Sequence, residues 1–155
     1  MSLALLLAAW LAPAPAAAGT ASVFVGRLYA AYRDENYSPL RHPGRVFDRP
    51  FAAALAEDKR LYRGEVGFID ADPLCQCQDP AGMKAELGDA RLVSPRRAEV
   101  PVRLRFGAAD VRDLKLKLSR TSAGWRIADI ATPDEPSFLH DLAASNRSKR
   151  SGGAR

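Results

Sequence analysis

Residues 68–79 read Phe-Ile-Asp-Ala-Asp-Pro-Leu-Cys-Gln-Cys-Gln-Asp and separate a helical half of the chain from a strand-rich half. This central segment contains three aspartates, two glutamines, a proline and both cysteines of the 155-residue protein. No other stretch brings so many unusual side chains together. We therefore expect the fold to be arranged around the central segment, which is also the first candidate for a binding site.

Apolar periodicity before the central segment predicts helices. From Ala21 to Tyr32 the apolar residues recur at the spacing of one helical face, and Thr20 or Ser22 is the predicted N-cap. Residues 36–44 contain two prolines and a glycine, so we expect a loop there.

A second helix is predicted to start at Asp48, which Pro50 follows two residues later. Its apolar face consists of Phe51, Ala54, Leu55 and Tyr62. Asp58 falls on the same stripe. We interpret Asp58 as part of the exposed margin of this helix. The alternative is an acid directed into a cavity, where it would be a candidate ligand-binding group.

The residues after the central segment follow the two-residue period of antiparallel strands with one wet face. Apolar side chains occupy alternate positions over residues 100–106 and 114–118, with mostly charged residues between them. Residues 125–130 form a further predicted strand, and a short helix is expected from Ser137 onward. This order predicts an α+β fold, with N-terminal helices packed on an antiparallel sheet and a short C-terminal helix.

Composition indicates one globular domain, because 47% of the residues are hydrophobic and 26% are charged. Four of the five net positive charges belong to residues 147–155, which contain no acid. The domain itself is therefore almost neutral. This distribution predicts a disordered basic tail over residues 147–155 and argues against a nucleic-acid partner.

The N-terminus predicts export. An apolar run over residues 3–10 leads into small residues, with Ala16 and Ala18 at the spacing that signal peptidase reads. We expect a signal peptide over residues 1–18, a single domain over residues 19–146, and a periplasmic or secreted location. The apolar run is too short to cross a bilayer, so no membrane span is predicted.

The polar residues of the central segment allow three interpretations. Asp70, Asp72 and Asp79 carry oxygen donors of the kind that calcium accepts, although the spacing lacks the alternating donors of an EF-hand. The same side chains can instead bond to their own backbone and shape a turn. In the third interpretation, Asp70, Asp72, Gln76, Gln78 and Asp79 form a polar wall of a ligand pocket. Apart from calcium, no cofactor is predicted.

Cys75 and Cys77 are separated by one residue. Two cysteines in an oxidising compartment favour a disulfide, which would close a small ring here. A buried pair of thiols and a zinc site are the alternatives, and the zinc site lacks further cysteine or histidine ligands nearby. We predict a structural pair of cysteines, with the disulfide as one form of it.

Two short motifs resemble a family of bacterial periplasmic proteins and lipoproteins of unknown function. One motif comprises Asp70, Asp72, Pro73, Gln78 and Asp79, and the other comprises Trp125, Ile127, Asp129 and Ile130. That family is similar to the cone-shaped domains named after nuclear transport factor 2, also called SnoaL-like. The resemblance covers about residues 22–144 and implies a curved sheet wrapped around helices with an internal pocket. It implies no particular activity.

Three functions from different classes fit these observations. The preferred one is an exported, non-catalytic domain that binds a small ligand or a protein partner. A second is a hydrolase or isomerase of the cone type, with Asp58 or Asp79 as general base. A third is an immunity protein that inhibits a periplasmic toxin. The sequence favours a non-enzymatic role and leaves the ligand and the oligomeric state open.

Overall fold

The structure is a computed structural model that describes residues 14–152. The helices are α1 (Ala14–Ala30), α2 (Pro43–Val46), α3 (Arg49–Tyr62) and α4 (Phe138–Gly152), with a 3-10 turn at Ala31–Arg33 after α1. The strands are β1 (Met83–Leu87), β2 (Arg91–Ser94), β3 (Arg97–Phe106), β4 (Asp110–Thr121) and β5 (Gly124–Ala131). This element order confirms the predicted α+β class. The cone-like curvature implied by the resemblance remains a prediction.

The five strands form one antiparallel sheet in the order β1-β3-β4-β5, and β2 also pairs with β3. β1 pairs with the second half of β3, while β2 pairs with its first residues. The two short strands therefore lie end to end along one edge of the sheet. The long hairpin of β3 and β4 forms its centre, as the alternating pattern predicts. β2 is a strand that the sequence did not predict.

Alternation along β3 and β4 separates a buried face of the sheet from an exposed one. The buried face includes Val100, Val102 and Leu104 of β3 and Leu114, Leu116 and Leu118 of β4. The exposed face carries cross-strand ion pairs, such as Arg103 with Asp113 at 2.8 Å and Arg105 with Glu86 at 2.9 Å. Exposed pairs of this kind contribute little to stability, but they keep the face soluble.

The apolar stripe of α1 packs on the buried face of the sheet, as predicted. Ala21, Val25 and Leu28 are buried there. The predicted N-cap is wrong, because α1 already begins at Ala14 and Thr20 lies inside it. The Thr20 hydroxyl donates to the carbonyl of Ala17 and accepts a hydrogen bond from the Trp125 indole at 3.0 Å.

α3 begins as the sequence predicts. The carboxylate of Asp48 accepts a hydrogen bond from the backbone of Phe51, and Pro50 lies in the first turn. The second carboxylate oxygen of Asp48 accepts from the Ser119 hydroxyl of β4 at 2.9 Å. This one aspartate therefore caps α3 and fastens the helix to the sheet.

The prediction of a disordered tail is wrong for residues 147–152, which belong to α4. Two basic residues of this tail contact α3. Arg150 forms an ion pair with Glu57 at 2.6 Å, and the Lys149 ammonium lies 4.7 Å from the centre of the Tyr62 ring. The sequence did not reveal these partners of the basic residues, because Glu57 and Tyr62 are about ninety residues away in the chain. Residues 153–155 lie outside the described part of the chain.

The predicted signal peptide falls mainly on residues 1–13, which lie outside the described residues. The predicted cleavage point after Ala18 falls inside α1. Among the helices of residues 14–152, none is long and apolar enough to cross a membrane. Export therefore stays a prediction.

Trp125 joins the last strand to the first helix, so its removal should be costly. The side chain is 4% exposed, and its indole is bonded to Thr20. We expect Trp125→Ala to lower the free energy of unfolding by about 3–5 kcal/mol, since it leaves a large cavity. Trp125→Phe keeps most of the packing and should cost about 1–2 kcal/mol. Urea unfolding measures both values, and a loss below about 1 kcal/mol for the alanine variant would contradict this role.

Candidate binding site

The central segment connects α3 to β1 and covers one end of the core without forming a helix or a strand of its own. Leu74 and Cys75 are fully buried in it. Cys75 and Cys77 form a disulfide, and Gln76 between them adopts a left-handed backbone conformation with φ of 52°. The disulfide and this turn together close a compact ring of three residues.

Asp72 holds the centre of the segment. One carboxylate oxygen accepts a hydrogen bond from the backbone of Leu74 at 2.9 Å, and the other accepts from the Tyr32 hydroxyl at 2.7 Å. The backbone of Asp72 donates to the carbonyl of Cys77 at 3.0 Å. Both oxygens of this aspartate are therefore used to shape the segment, as the turn interpretation predicts.

Tyrosines of the N-terminal helical region cluster beside Asp72. The Tyr29 hydroxyl donates to the carbonyl of Leu74 at 2.8 Å, and the Tyr29 and Tyr32 rings stack with centres 5.9 Å apart. Tyr37 meets the Tyr32 ring edge-on. Burial, with the charge of Asp72, raises the pKa of Tyr29 and Tyr32, and it raises the pKa of Tyr37 to about 12. The three hydroxyls therefore stay protonated at neutral pH.

Burial also raises the pKa of the Asp72 carboxyl above its ordinary value. Hydrogen bonds from Tyr32 and from the backbone of Leu74 and Cys75 act in the opposite direction but do not cancel the effect of burial. Loss of water around the carboxylate is thus the dominant influence on its protonation.

Arg112 of β4 clamps the segment from the side of the sheet. Its guanidinium donates to the carbonyls of Cys75 and Gln76 and lies 4.6 Å from the centre of the Phe106 ring. The Asp110 carboxylate holds the same guanidinium at 2.7 Å. Arg112 is therefore placed to satisfy backbone oxygens that no strand or helix satisfies.

Asp58 fastens the start of the segment to α3. Its side chain is only 3% exposed, and its oxygens accept hydrogen bonds from the backbone of Phe68 at 3.1 Å and Ile69 at 3.4 Å. The interpretation of Asp58 as an exposed margin is therefore wrong. Gly67 permits the close approach, because a Cβ there would lie 2.6 Å from an Asp58 oxygen. Carboxylates at helical positions are buried when a neighbouring loop supplies donors.

The structure brings only some of the predicted site residues together. Asp70, Asp72 and Gln78 line a shallow cavity of about 330 Å³, with Tyr37 on its other side. Asp58 lines a separate cavity of about 380 Å³ beside Tyr62. The remaining two predicted residues, Gln76 and Asp79, line neither cavity.

Three side chains of the segment present polar groups to solvent. Asp70, Gln78 and Asp79 are exposed, and one oxygen of Asp79 accepts a hydrogen bond from the backbone of Ala81 at 2.8 Å. Gln76 is half-buried. The segment thus displays two negative charges and an amide on a backbone that is held in place from beneath.

The calcium hypothesis remains a prediction. Within residues 14–152 no group of three or more histidine, cysteine, aspartate or glutamate side chains is placed to hold a metal ion. Of the three candidate aspartates, Asp72 has both oxygens engaged by donors of the protein itself. Asp70 and Asp79 retain exposed oxygens.

Sequence reasoning missed Tyr29, Tyr32 and Arg112 as residues of this site. The two tyrosines fit the predicted apolar stripe of residues 21–32, which indicates a core position, so their hydroxyls gave no signal. The sequence did contain a signal for Arg112. It lies in the same alternating phase as Leu114, where an apolar residue is expected, and a charge in that phase indicates a special contact.

Neither a family model nor a curated protein matches this chain. The chain is similar to a chain of the type VI native effector-immunity complex Tae3-Tai3 from Ralstonia pickettii, with 20% identity and a TM-score of 0.47, covering 79% of this chain and 97% of that one. The selenomethionine form of the same complex matches with 18% identity and a TM-score of 0.47, covering 74% and 96%.

Removal of the Arg112 clamp should loosen the segment. We expect Arg112→Met to lower the free energy of unfolding by about 1–3 kcal/mol, because buried carbonyls lose a charged donor. Hydrogen exchange at residues 74–77 should become faster. Arg103→Met is the matched control, since its pair with Asp113 is exposed and should be worth below about 1 kcal/mol. Equal effects of the two variants on exchange at residues 74–77 would rule out the clamp.

Asp72 should make stability depend on pH. The pKa of Asp72 is higher in the folded state than in the unfolded state, so the protonated carboxyl stabilises the fold. This contribution to the free energy of unfolding is complete below the ordinary pKa and is lost as the pH rises through the pKa of the folded state. Asp72→Asn has no proton to lose at this position. We therefore expect its stability, relative to the unsubstituted protein, to increase between about pH 3 and about pH 7. Urea unfolding across this range measures the difference, and a decrease would contradict the burial effect.

Proposed function

We propose that this protein is an exported, non-catalytic domain that binds a partner protein through the exposed side of the central segment. One observation carries the proposal. Tyr29 and Arg112 anchor the backbone of the segment and Tyr32 anchors the Asp72 carboxylate, while the side chains of Asp70, Gln78 and Asp79 face solvent.

Anchoring of this kind favours recognition because it lowers the entropy lost on binding. A flexible loop must be ordered when a partner binds, and that ordering weakens the complex. Here the Cys75–Cys77 disulfide, the hydroxyl of Tyr29 and the guanidinium of Arg112 already hold the loop. The exposed carboxylates of Asp70 and Asp79 fit a partner with a basic surface.

The engagement of the carboxylates argues against the hydrolase or isomerase hypothesis. A general base needs an oxygen within hydrogen-bond reach of the substrate proton. Asp58 directs its oxygens at the backbone of Phe68 and Ile69, and Asp79 is exposed and bonds to Ala81. Neither of the two residues proposed as bases has the buried, free oxygen that this chemistry favours.

Two features support export. The N-terminal residues have the pattern of a signal peptide. The disulfide between Cys75 and Cys77 is of a kind that persists in the periplasm or outside the cell and is rare in the cytosol. An immunity protein for a periplasmic toxin is one form of the proposed function, and its partner would be the toxin itself.

Direct binding of purified proteins tests the proposal. We expect the protein to be recovered from the periplasm with Gly19 as its first residue, and to form a one-to-one complex with an exported toxin. Type VI effectors are the first candidates to test, by calorimetry and by gel filtration. Failure of every candidate effector to bind would count against the inhibitor form.

Variants of the exposed side chains test the surface. We expect Asp70→Lys combined with Gln78→Lys to weaken the complex by about tenfold or more, since two exposed contacts become unfavourable. The control is Asp134→Lys, an exposed aspartate outside the central segment. A complex that both variants leave unchanged would place the interface elsewhere.

A further inference from the structure

The outer side of β1 is unpaired within residues 14–152. β1 pairs with β3 on its inner side, and the Gly88 amide donates to the Pro101 carbonyl at 2.9 Å in the continuation of that register. Hydrogen-bonded pairs alternate along an antiparallel ladder. Lys84 and Glu86 therefore direct their backbone groups to β3, whereas the other three residues of the strand, Met83, Ala85 and Leu87, direct theirs outward.

A groove of about 710 Å³ runs between this open edge and the C-terminal half of α1. Gly26 and Ala30 line its helical side, and Ala85 and Leu87 line its strand side. Gly26 leaves open space, because a Cβ at this position would meet nothing within 4 Å. Gly26, Ala30 and Ala85 are small, so these parts of the two walls leave room for another strand beside β1.

We propose that a second copy of this chain occupies the groove, with its β1 antiparallel to β1 of the first copy. A two-fold axis through Ala85 produces the pairing, which is the symmetry of most dimers. In this register Lys84 lies opposite Glu86 of the second copy, and Met83 lies opposite Leu87 of the second copy. The groove adjoins the central segment, since Tyr29 and Tyr32 also line it, but the pairing uses β1 and does not depend on the proposed function.

The outward backbone groups are self-complementary in this register. Ala85 of each copy donates to and accepts from Ala85 of the other. Leu87 of each copy donates to the carbonyl of Met83 in the other. The Met83 amide needs no partner across the axis, because it already donates to the carbonyl of Pro80 at 3.0 Å. The turn before β1 therefore marks the point at which the added pairing ends.

The charges on the exposed face favour the same register. Lys84 lies directly opposite Arg105 of β3, so two positive side chains are neighbours within one chain. Glu86 lies opposite Arg103 and forms an ion pair with Arg105 at 2.9 Å. Glu86 of the second copy would place an acid beside Lys84, where this chain has only a base. Opposite charges in directly opposed positions stabilise strand pairs, and like charges destabilise them.

Apolar side chains beside the groove would also be covered. Leu87 is 37% exposed and Val23, one helical turn before Gly26 on α1, is 52% exposed. An axis perpendicular to the sheet keeps the helices of both copies on one side, so α1 of one copy faces α1 of the other. The contact would bury both side chains, which are among the few large apolar residues exposed in the described part of the chain.

Exchanging the charges of β1 tests the proposal. Sedimentation of the unsubstituted protein over a range of concentrations should show a dimer. Lys84→Glu and Glu86→Lys, each alone, oppose like charges across the axis and should weaken the dimer by about tenfold or more. A mixture of these two variants restores opposite charges in both pairs, so we expect it to form a heterodimer as tight as the original dimer. Lys115→Glu, on the exposed face of β4, is the control and should leave the dimer unchanged.

Backbone variants and hydrogen exchange test the pairing independently of charge. Ala85→Pro removes an amide that β3 does not use, so the fold should persist and the dimer should be lost. The amides of Ala85 and Leu87 should be protected from exchange in the dimer. In the unsubstituted protein at high dilution, where the monomer predominates, the same amides should exchange rapidly. The proposal is overturned by a protein that stays monomeric, by a dimer that both charge variants leave intact, or by a monomer in which those amides are already protected.

Discussion

A buried stretch of irregular backbone has to find hydrogen-bond partners outside itself, and this requirement shapes the protein. The stretch is Leu74–Cys77, which covers the end of the core. Tyr29 supplies a donor from the helical layer, and Arg112 supplies another from the sheet. The two layers are therefore joined through the carbonyls of the loop as well as through apolar packing. Neither side chain is replaceable by a purely apolar residue of similar size without leaving an oxygen unpaired.

The elements with strong periodicity were predictable from the sequence, and the contacts between them were not. Alternation identified β3, β4 and β5, and the cap at Asp48 identified α3, because both signals are local. β2 is too short to establish a period, and the end of α4 depends on Glu57, which is distant in sequence. Asp58 was misplaced for the same reason. Its burial depends on the backbone of Phe68 and Ile69, which no helical pattern reveals.

The candidate site was likewise only partly predictable from the sequence. The composition of residues 68–79 located it, since no other stretch holds so many polar groups and both cysteines. The different roles of its aspartates could be assigned only from the fold. Asp72 faces inward to the tyrosines and Asp70 faces outward to solvent, although only one residue separates them. Two neighbouring residues of identical chemistry thus acquire different roles from the direction in which the backbone presents them.

The hydrogen bond between Trp125 and Thr20 spans 105 positions of the chain. α1 is synthesised before the sheet, yet its buried face is completed only by β5, the last of the five strands. Contacts of such long range form late and slow the folding reaction, whereas the β3–β4 hairpin is local. α1 consequently has no complete surface on which to dock until β5 has been synthesised.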